Sequence, residues 1–408
     1  MTKKSQSGFA QLASKTSLYT QEKLAEVKKG KKSFLIGLPN EISMQEKRIT
    51  LTPDSVELLV NNGHEIWVET NAGAGSKFRD KQYADAGAKI VYSQDEIYKA
   101  DVILKIEPPT LEEIELTTKG KILISAIQLG NQSPDYINAL NKKNITALAF
   151  EFIQDKVGGM PIIRAMSEIA GNTVMSIASE YLSCANGGKG IILGGITGVP
   201  PTKVVIIGAG TVAEYAARVA RGLGAEIQIF DNHIYKLRRI KQTLSHQIYT
   251  STIDTVTLAE SLKSADLVIG ALRAEKGRAR HVVSEEMVAA MKPDSLIIDL
   301  SIDQGGCIAT SELTSLKDPV YRKYDVIHYC VPNIASRVAH TATSALSNIF
   351  TPTILRAAEE GGVEEMIFAH SWFMKGVYTY KGSLTNEYIA RKFGLKHKDL
   401  SLLMAARF

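Results

Sequence analysis

Apolar positions along this chain follow two periods in alternation, and the alternation predicts the elements. Apolar runs of four to six residues occur at Ser33–Gly37, Glu65–Glu69, Lys89–Tyr92, Val102–Ile106, Ile122–Ile127 and Thr146–Glu151. Their length and β-branching predict strands, most of them buried on both faces. Helix-period segments separate them. Pro53–Asn62 carries its proline at the first turn and is expected to turn Leu58 and Leu59 inward, and Asp80–Ala86 precedes the third strand. Met166–Ala185 is a long helical pattern without proline, suited to linking one α/β unit to the next. Beyond it lie the strands Val204–Ile207, Glu226–Phe230, Leu267–Ile269 and Ser295–Leu300, the helix Met287–Met291, the turn Lys292-Pro293-Asp294 and a second long helix, Thr343–Glu360. Strands alternating with helices predict the class α/β, as two Rossmann-like domains with mainly parallel sheets and a cleft between them. The expected layout is a basic flexible N-terminal extension (1–33), a substrate domain split between 34–163 and 341–408, and a nucleotide-binding domain at 164–340.

The stretch KVVIIGAGTVAEYAARVARGLGAEIQIFD at 203–231 carries the most specific pattern. A buried-type strand runs into Gly208-Ala209-Gly210, a helix follows, and the next strand ends in Asp231. This is the order of a dinucleotide-binding βαβ unit. Gly208 permits the tight turn, Gly210 lets a pyrophosphate approach the backbone, and Ala213 is small enough for close helix–strand packing. The helix N-terminus attracts phosphate. Asp231, 21 residues after Gly210, can accept hydrogen bonds from an adenosine ribose. A carboxylate there repels a 2′-phosphate, so NAD is the expected cofactor rather than NADP.

Charge and composition narrow the classes further. The 408 residues carry a formal net charge of +5, but residues 1–33 hold eight lysines against two acids. The remaining body is therefore close to neutral, and nothing marks it as a nucleic-acid binder. No run of 18 apolar residues occurs, so no membrane span is expected. Cys184, Cys307 and Cys330 are widely spaced, without metal-ligand spacing, and the eight histidines are scattered. Reduced thiols in a cytoplasmic protein without a metal site are expected.

Several blocks together resemble the alanine dehydrogenase family, which is related to the first component of proton-translocating transhydrogenases. They are IGLPNEISMQEKRITLTP at 36–53, AGAGS at 72–76, ADVILKIEPP at 100–109, MSEIAG at 166–171, GKGIILGGITGVPPTKVVIIGAG at 188–210, ADLVIGA at 265–271, MKPDSLIIDLSIDQGG at 291–306 and YCVPN at 329–333. The resemblance implies NAD-dependent, reversible oxidative deamination of L-alanine to pyruvate and ammonia, by a homo-oligomer, a hexamer or a dimer. It implies that Arg48 binds the substrate carboxylate and that Lys105 holds the carboxylate or the carbonyl oxygen. Asp303 then lies near the reacting carbon and handles the attacking water. Ser167, Asp231, Lys236 and Asn333 match nucleotide contacts.

One position breaks the pattern. Where the family places a histidine for proton exchange with the substrate oxygen, SAIQLGN at 125–131 puts Gln128. A carboxamide donates a hydrogen bond but does not titrate near neutral pH. Glu107-Pro108-Pro109 also departs from the family's basic residue before EP. Two alternatives therefore stay open: an NAD-binding subunit or sensor without turnover, and a dehydrogenase for a larger amino acid of the saccharopine type.

Overall fold

The computed structural model describes residues 32–43, 45–244, 248–273 and 281–405. The basic extension lies outside them except for its last two residues. The first sheet contains β1 (Leu35–Leu38), β2 (Glu65–Glu69), β3 (Lys89–Val91), β4 (Val102–Leu104), β5 (Ile122–Ser125) and β6 (Thr146–Ala149). The second contains β7 (Lys203–Ile207), β8 (Glu226–Phe230), β9 (Tyr249–Ser251), β10 (Leu267–Gly270), β11 (Leu296–Asp299), β12 (Val320–Lys323) and β13 (Val326–Tyr329). The chain then returns to the first sheet with β14 (Val377–Tyr380) and β15 (Ser383–Leu384).

The strand orders decide where ligands can sit. The first sheet runs β15-β14-β6-β5-β4-β1-β2-β3 and the second β12-β13-β11-β10-β7-β8-β9. Among the described strands the antiparallel pairs are β12–β13, β14–β15 and β14–β6. In the first sheet the order reverses between β1 and β4, and in the second between β7 and β10. Loops leaving the carboxyl ends at such a switch point diverge and open a crevice.

Two long helices join the units. Pro161–Leu182 begins at a proline and buries Val174, Ile177 and Ala178 against Val204, Ile206, Ile269 and Ile298 of the second sheet. Ala339–Glu359 packs Leu346, Phe350 and Ile354 on Ile36, Leu38, Val68 and Leu104 of the first. Each fully buried Leu or Ile contributes about 1.5–3 kcal/mol relative to exposure. Gly171 marks the closest approach of the linking helix to Thr211–Gly222. A Cβ there would lie 2.5 Å from the Val212 carbonyl oxygen and 2.7 Å from Tyr215 Cβ. Alanine is the better helix former by about 1 kcal/mol. Even so, Gly171→Ala should lower the midpoint of thermal unfolding, because the backbone oxygen cannot swing away. A raised midpoint would show that the helices part easily.

The differences from the sequence reading are local. Leu59 is buried but Leu58 is exposed, since the 3.6-residue period turns only one of two neighbours inward. The linking helix starts five residues earlier than its apolar pattern, at Pro161, and the return helix starts at Ala339. The hairpins β12–β13 and β14–β15 were not anticipated, although β13 lies in the largely apolar run 326–331.

Candidate functional site

The loops after β1, β10, β11 and β13 converge with the start of the linking helix on a cavity of about 280 Å³ between the two units. Arg48, Ser167, Asp303 and Asn333 line it, together with Val212 and Arg273. The structure thus brings four of the sequence candidates together. Lys105, Gln128, Asp231 and Lys236 are not among its lining residues.

Arg48 is buried, and its fork is half taken. Nε donates to Glu46 Oε1 at 2.7 Å and Nη2 to Glu46 Oε2 at 2.6 Å, while one Nη1 N–H donates to Met166 Sδ at 3.2 Å. Five N–H donors on a guanidinium leave the other Nη1 N–H for a carboxylate in the cleft. Burial works against the charge on Glu46, but Arg48 and the Asn333 side chain outweigh it and hold the carboxyl below its ordinary range. Asn333 has a left-handed backbone, with φ 55°. Its Nδ2 donates to Glu46 Oε2 at 2.6 Å, and its backbone N–H supports Asp303. One residue therefore ties the carboxylate-binding side to the opposite unit. Ser336 adds a second tie, accepting from Lys47 N–H at 2.8 Å and donating to the Gln45 carbonyl at 2.6 Å.

Asp303 opens onto the cleft. Desolvation raises its carboxyl to about 6, against the opposing effects of the Asn333 N–H and Arg48. Its loop is held by Asp299, which sequence reading missed. Asp299 is buried at the end of β11 and accepts from Ser301 N–H at 2.9 Å, Cys307 N–H at 2.9 Å and Ser311 Oγ at 2.7 Å. An acid at the carboxyl end of an apolar strand, in SLIIDL, was the available signal.

Lys105 is buried and paired with two carboxylates. Its Nζ lies 3.0 Å from Glu41 Oε2 and 3.5 Å from Glu113 Oε1, all three side chains buried. Burial disfavours its charge, yet Glu41 and Glu113 outweigh burial and raise its pKa. Glu41 is itself pushed up to about 7 by desolvation, with Lys105 pulling the other way. A lysine inside an apolar strand end needs such partners. The capping box Thr110–Glu113 placed one of them, because Glu113 Oε2 accepts from Thr110 N–H at 2.8 Å while Oε1 faces Lys105.

Gln128 is exposed, in a left-handed turn with φ 45°. The turn is clamped from below by Glu151, whose Oε1 accepts from Ile127 N–H at 2.9 Å and Gln128 N–H at 3.1 Å.

Gly208 has φ 111°, and a Cβ there would meet the Ala271 carbonyl oxygen at 2.5 Å. A Cβ at Gly210 would meet nothing within 4 Å, so the space in front of the helix Thr211–Gly222 is open. Ala213 is fully buried. Asp231 is also buried, with Oδ2 accepting from Ala209 N–H at 2.8 Å and Oδ1 accepting from His233 N–H at 2.7 Å and facing the His233 ring Nδ1 at 2.9 Å. It therefore pins the turn, and its remaining lone pairs are what a ribose could use. Lys236 follows on the next helix, its Nζ 5.9 Å from the Tyr235 ring centroid. The open cradle, the helix N-terminus and the strand-end acid fit a dinucleotide.

Two doubly wound α/β units meeting at a cleft, one of them with a glycine turn that fits a dinucleotide, define a class of two-domain nucleotide-binding proteins. The chain belongs to the alanine dehydrogenase/PNT family: residues 37–170 match its N-terminal domain and residues 174–387 its C-terminal domain. It is 38% identical over 366 residues to an alanine dehydrogenase of Methanococcus maripaludis, covering 89% of this chain and 98% of that one. It is 38% identical over 365 residues to the alanine dehydrogenase of Bacillus subtilis, covering 89% and 96%. A solved L-alanine dehydrogenase superposes with a TM-score of 0.82 at 33% identity, over 88% of this chain and 98% of the other. Among the described residues no helix is long and apolar enough to cross a membrane.

Proposed function

We propose that this chain is an NAD-dependent L-alanine dehydrogenase, which deaminates L-alanine to pyruvate and ammonia and runs the reverse amination. The observation that carries the reading is that Arg48 and Asp303 line one cleft, a fixed cation and a carboxyl raised above its ordinary range. In this reading residues 34–163 with 341–408 hold the amino acid and residues 164–340 hold the nucleotide. The homo-oligomer rests on the family resemblance. The buried free thiols Cys307 and Cys330 are in keeping with a reducing compartment such as the cytoplasm.

The residues divide the work by their chemistry. Arg48 Nη1 takes the substrate carboxylate and so fixes the amino acid relative to the opposite unit. Lys105 has three N–H groups, two of them turned to Glu41 and Glu113, and the third is assigned to the substrate oxygen. Asp303 accepts a proton from the water that attacks the iminium carbon. Gln128 hydrogen-bonds the same region without exchanging protons. Ser167, Gly208, Gly210, Ala213, Asp231, Lys236 and Asn333 form the nucleotide side. NAD bound there would supply the hydride acceptor. Asp231 supports NAD over NADP, because a 2′-phosphate beside it would place two anions together.

The test is oxidation of NADH with pyruvate and ammonium, followed by absorbance, with NADPH in parallel. Turnover with NADH and little with NADPH is expected. Exposed Gln128 favours a binding-only subunit as the competing reading, and NADH binding without any turnover would establish it. For deamination, kcat/KM should rise as pH rises through about 6, since Asp303 must be ionised to accept a proton. Asp303→Asn should remove that limb and lower kcat by roughly 10²–10⁴-fold. An unchanged limb would take the role away from Asp303.

A further inference from the structure

The proposed reaction needs a proton at the substrate oxygen, and the side chains already assigned do not supply it. Gln128 does not titrate. Arg48 stays charged at any working pH. Lys105 is held as an ammonium by two carboxylates. Asp303 stands on the opposite unit and is committed to the water. The carboxyl groups at the carboxyl edge of the first sheet include Glu41, Glu69, Glu107 and Glu151; Glu69 accepts from Asn40 N–H at 2.8 Å, and Glu107 is held by the Ser43 side chain. Both Glu41 oxygens are engaged, one by Lys105 Nζ at 3.0 Å and the other by Ile106 N–H at 2.6 Å.

Glu151 differs. It follows β6, whose Ala149 is in register with Ser125 of β5, and Ile124 of β5 is in register with Leu104 of β4. Lys105, Gln128 and Glu151 therefore leave adjacent strands at the same edge, with strands about 4.8 Å apart. Glu151 Oε1 holds the Ile127 and Gln128 amides, while Oε2 is buried and has no hydrogen-bond partner among the described residues. An orphaned buried carboxylate oxygen is costly unless it has a use. Arg273, which lines the cleft from the opposite unit, acts on it electrostatically. The Tyr136 and Tyr378 hydroxyls, 3.2 Å from each other, sense its charge from behind.

We infer that Glu151, through Oε2 beneath the Gln128 turn, holds the proton exchanged with the substrate oxygen where Gln128 cannot. This rests on the alanine dehydrogenase reading. In amination, the ammonia lone pair forms the C–N bond to the keto carbon, and the C=O π pair moves onto oxygen. That oxygen takes the proton of the Glu151 carboxyl, leaving a carboxylate and a protonated carbinolamine. In deamination the same step reverses: the O–H pair becomes the second C–O bond, the C–N pair leaves with ammonia, and the proton returns to Glu151. Burial raises the Glu151 carboxyl above its ordinary value, against the two amides and Arg273, which favours a group that carries a proton part of the time.

The experiment is the pH profile of amination at saturating pyruvate and saturating free ammonia. It compares the unmodified protein, Glu151→Gln, Glu151→Asp and the double variant Glu151→Gln/Gln128→His, with NADH fluorescence titration of each. The unmodified protein should lose activity as pH rises, because the donor must be protonated. Glu151→Gln should lower kcat by roughly 10²-fold or more and flatten that limb while NADH still binds. Glu151→Asp should keep the limb at a reduced rate. The double variant should regain activity with a falling limb near the ordinary histidine value, about 6.5. An unchanged profile in Glu151→Gln would overturn the role alone. Failure of the double variant to recover, with NADH bound, would reduce Glu151 to a clamp for the 127–128 turn. Absence of amination by the unmodified protein would remove the reaction and this role together.

Discussion

Arg48→Ala should lower kcat/KM for L-alanine by about 10²–10³-fold, through loss of a charge-assisted, partly buried carboxylate contact worth roughly 3–4 kcal/mol. It should also destabilise the protein, by a separable mechanism. With Arg48 gone, Glu46 keeps its burial and loses its bidentate partner, which costs about 3–5 kcal/mol. The sign follows from the titration. In the intact pair Glu46 is held below its ordinary value, so its contribution is present above about pH 4.5 and is lost as pH falls through the lowered value. Without Arg48 that depression vanishes, and the loss of stability is largest at neutral and alkaline pH. The double variant Glu46→Ala/Arg48→Ala should recover most of the stability and none of the activity. Urea unfolding at pH 5 and 8, beside steady-state kinetics on all three variants, checks both halves. Full activity in the double variant would show that the substrate carboxylate binds elsewhere.

That pair also shows where sequence reading reached its limit. Arg48 was legible from QEKRITLTP, but its occupancy by Glu46 two residues earlier was not, because a loop after a strand has no period from which side-chain direction can be read. Lys105 was legible as a lysine that an apolar strand end cannot leave unpaired. Its partners come from 64 residues upstream and 8 downstream, a juxtaposition made by the β1–β4 switch rather than by spacing. Asn333 read as a nucleotide contact; it lines the cleft, and its further hydrogen bond from Nδ2 to Glu46 left no trace in the sequence. Glu151 and Asp299 carried no chemical motif at all. Both stand at the carboxyl ends of buried strands, where an acid is out of place among apolar neighbours, and that was the only trace they left in the sequence. By contrast the glycine turn was legible in nearly every residue, because a βα turn is local: each position's task follows from its neighbours within a few residues.

Gly208 and Gly210 turn that local legibility into the sharpest separation of fold from binding that this chain offers. Gly208 adopts a positive φ and has the Ala271 carbonyl oxygen 2.5 Å from any added Cβ. Gly208→Val should therefore break the turn and the contact between β7 and β10 together, and the protein should unfold earlier with or without nucleotide. Gly210 has φ −82° and ψ −168°, an extended backbone that valine adopts readily, and empty space in front of it. Gly210→Val should keep the unfolding midpoint close to that of the unmodified protein. It should nevertheless weaken NADH binding by about 10²-fold or more, since a branched side chain stands where the pyrophosphate must approach and removes one or two hydrogen bonds to a charged group, each worth about 1.5–3 kcal/mol. Thermal unfolding and NADH fluorescence titration on the same two samples decide the matter. Undiminished NADH affinity in Gly210→Val would mean that the dinucleotide does not cross this turn, and the assignment of the whole nucleotide side, from Ser167 to Asn333, would fall with it.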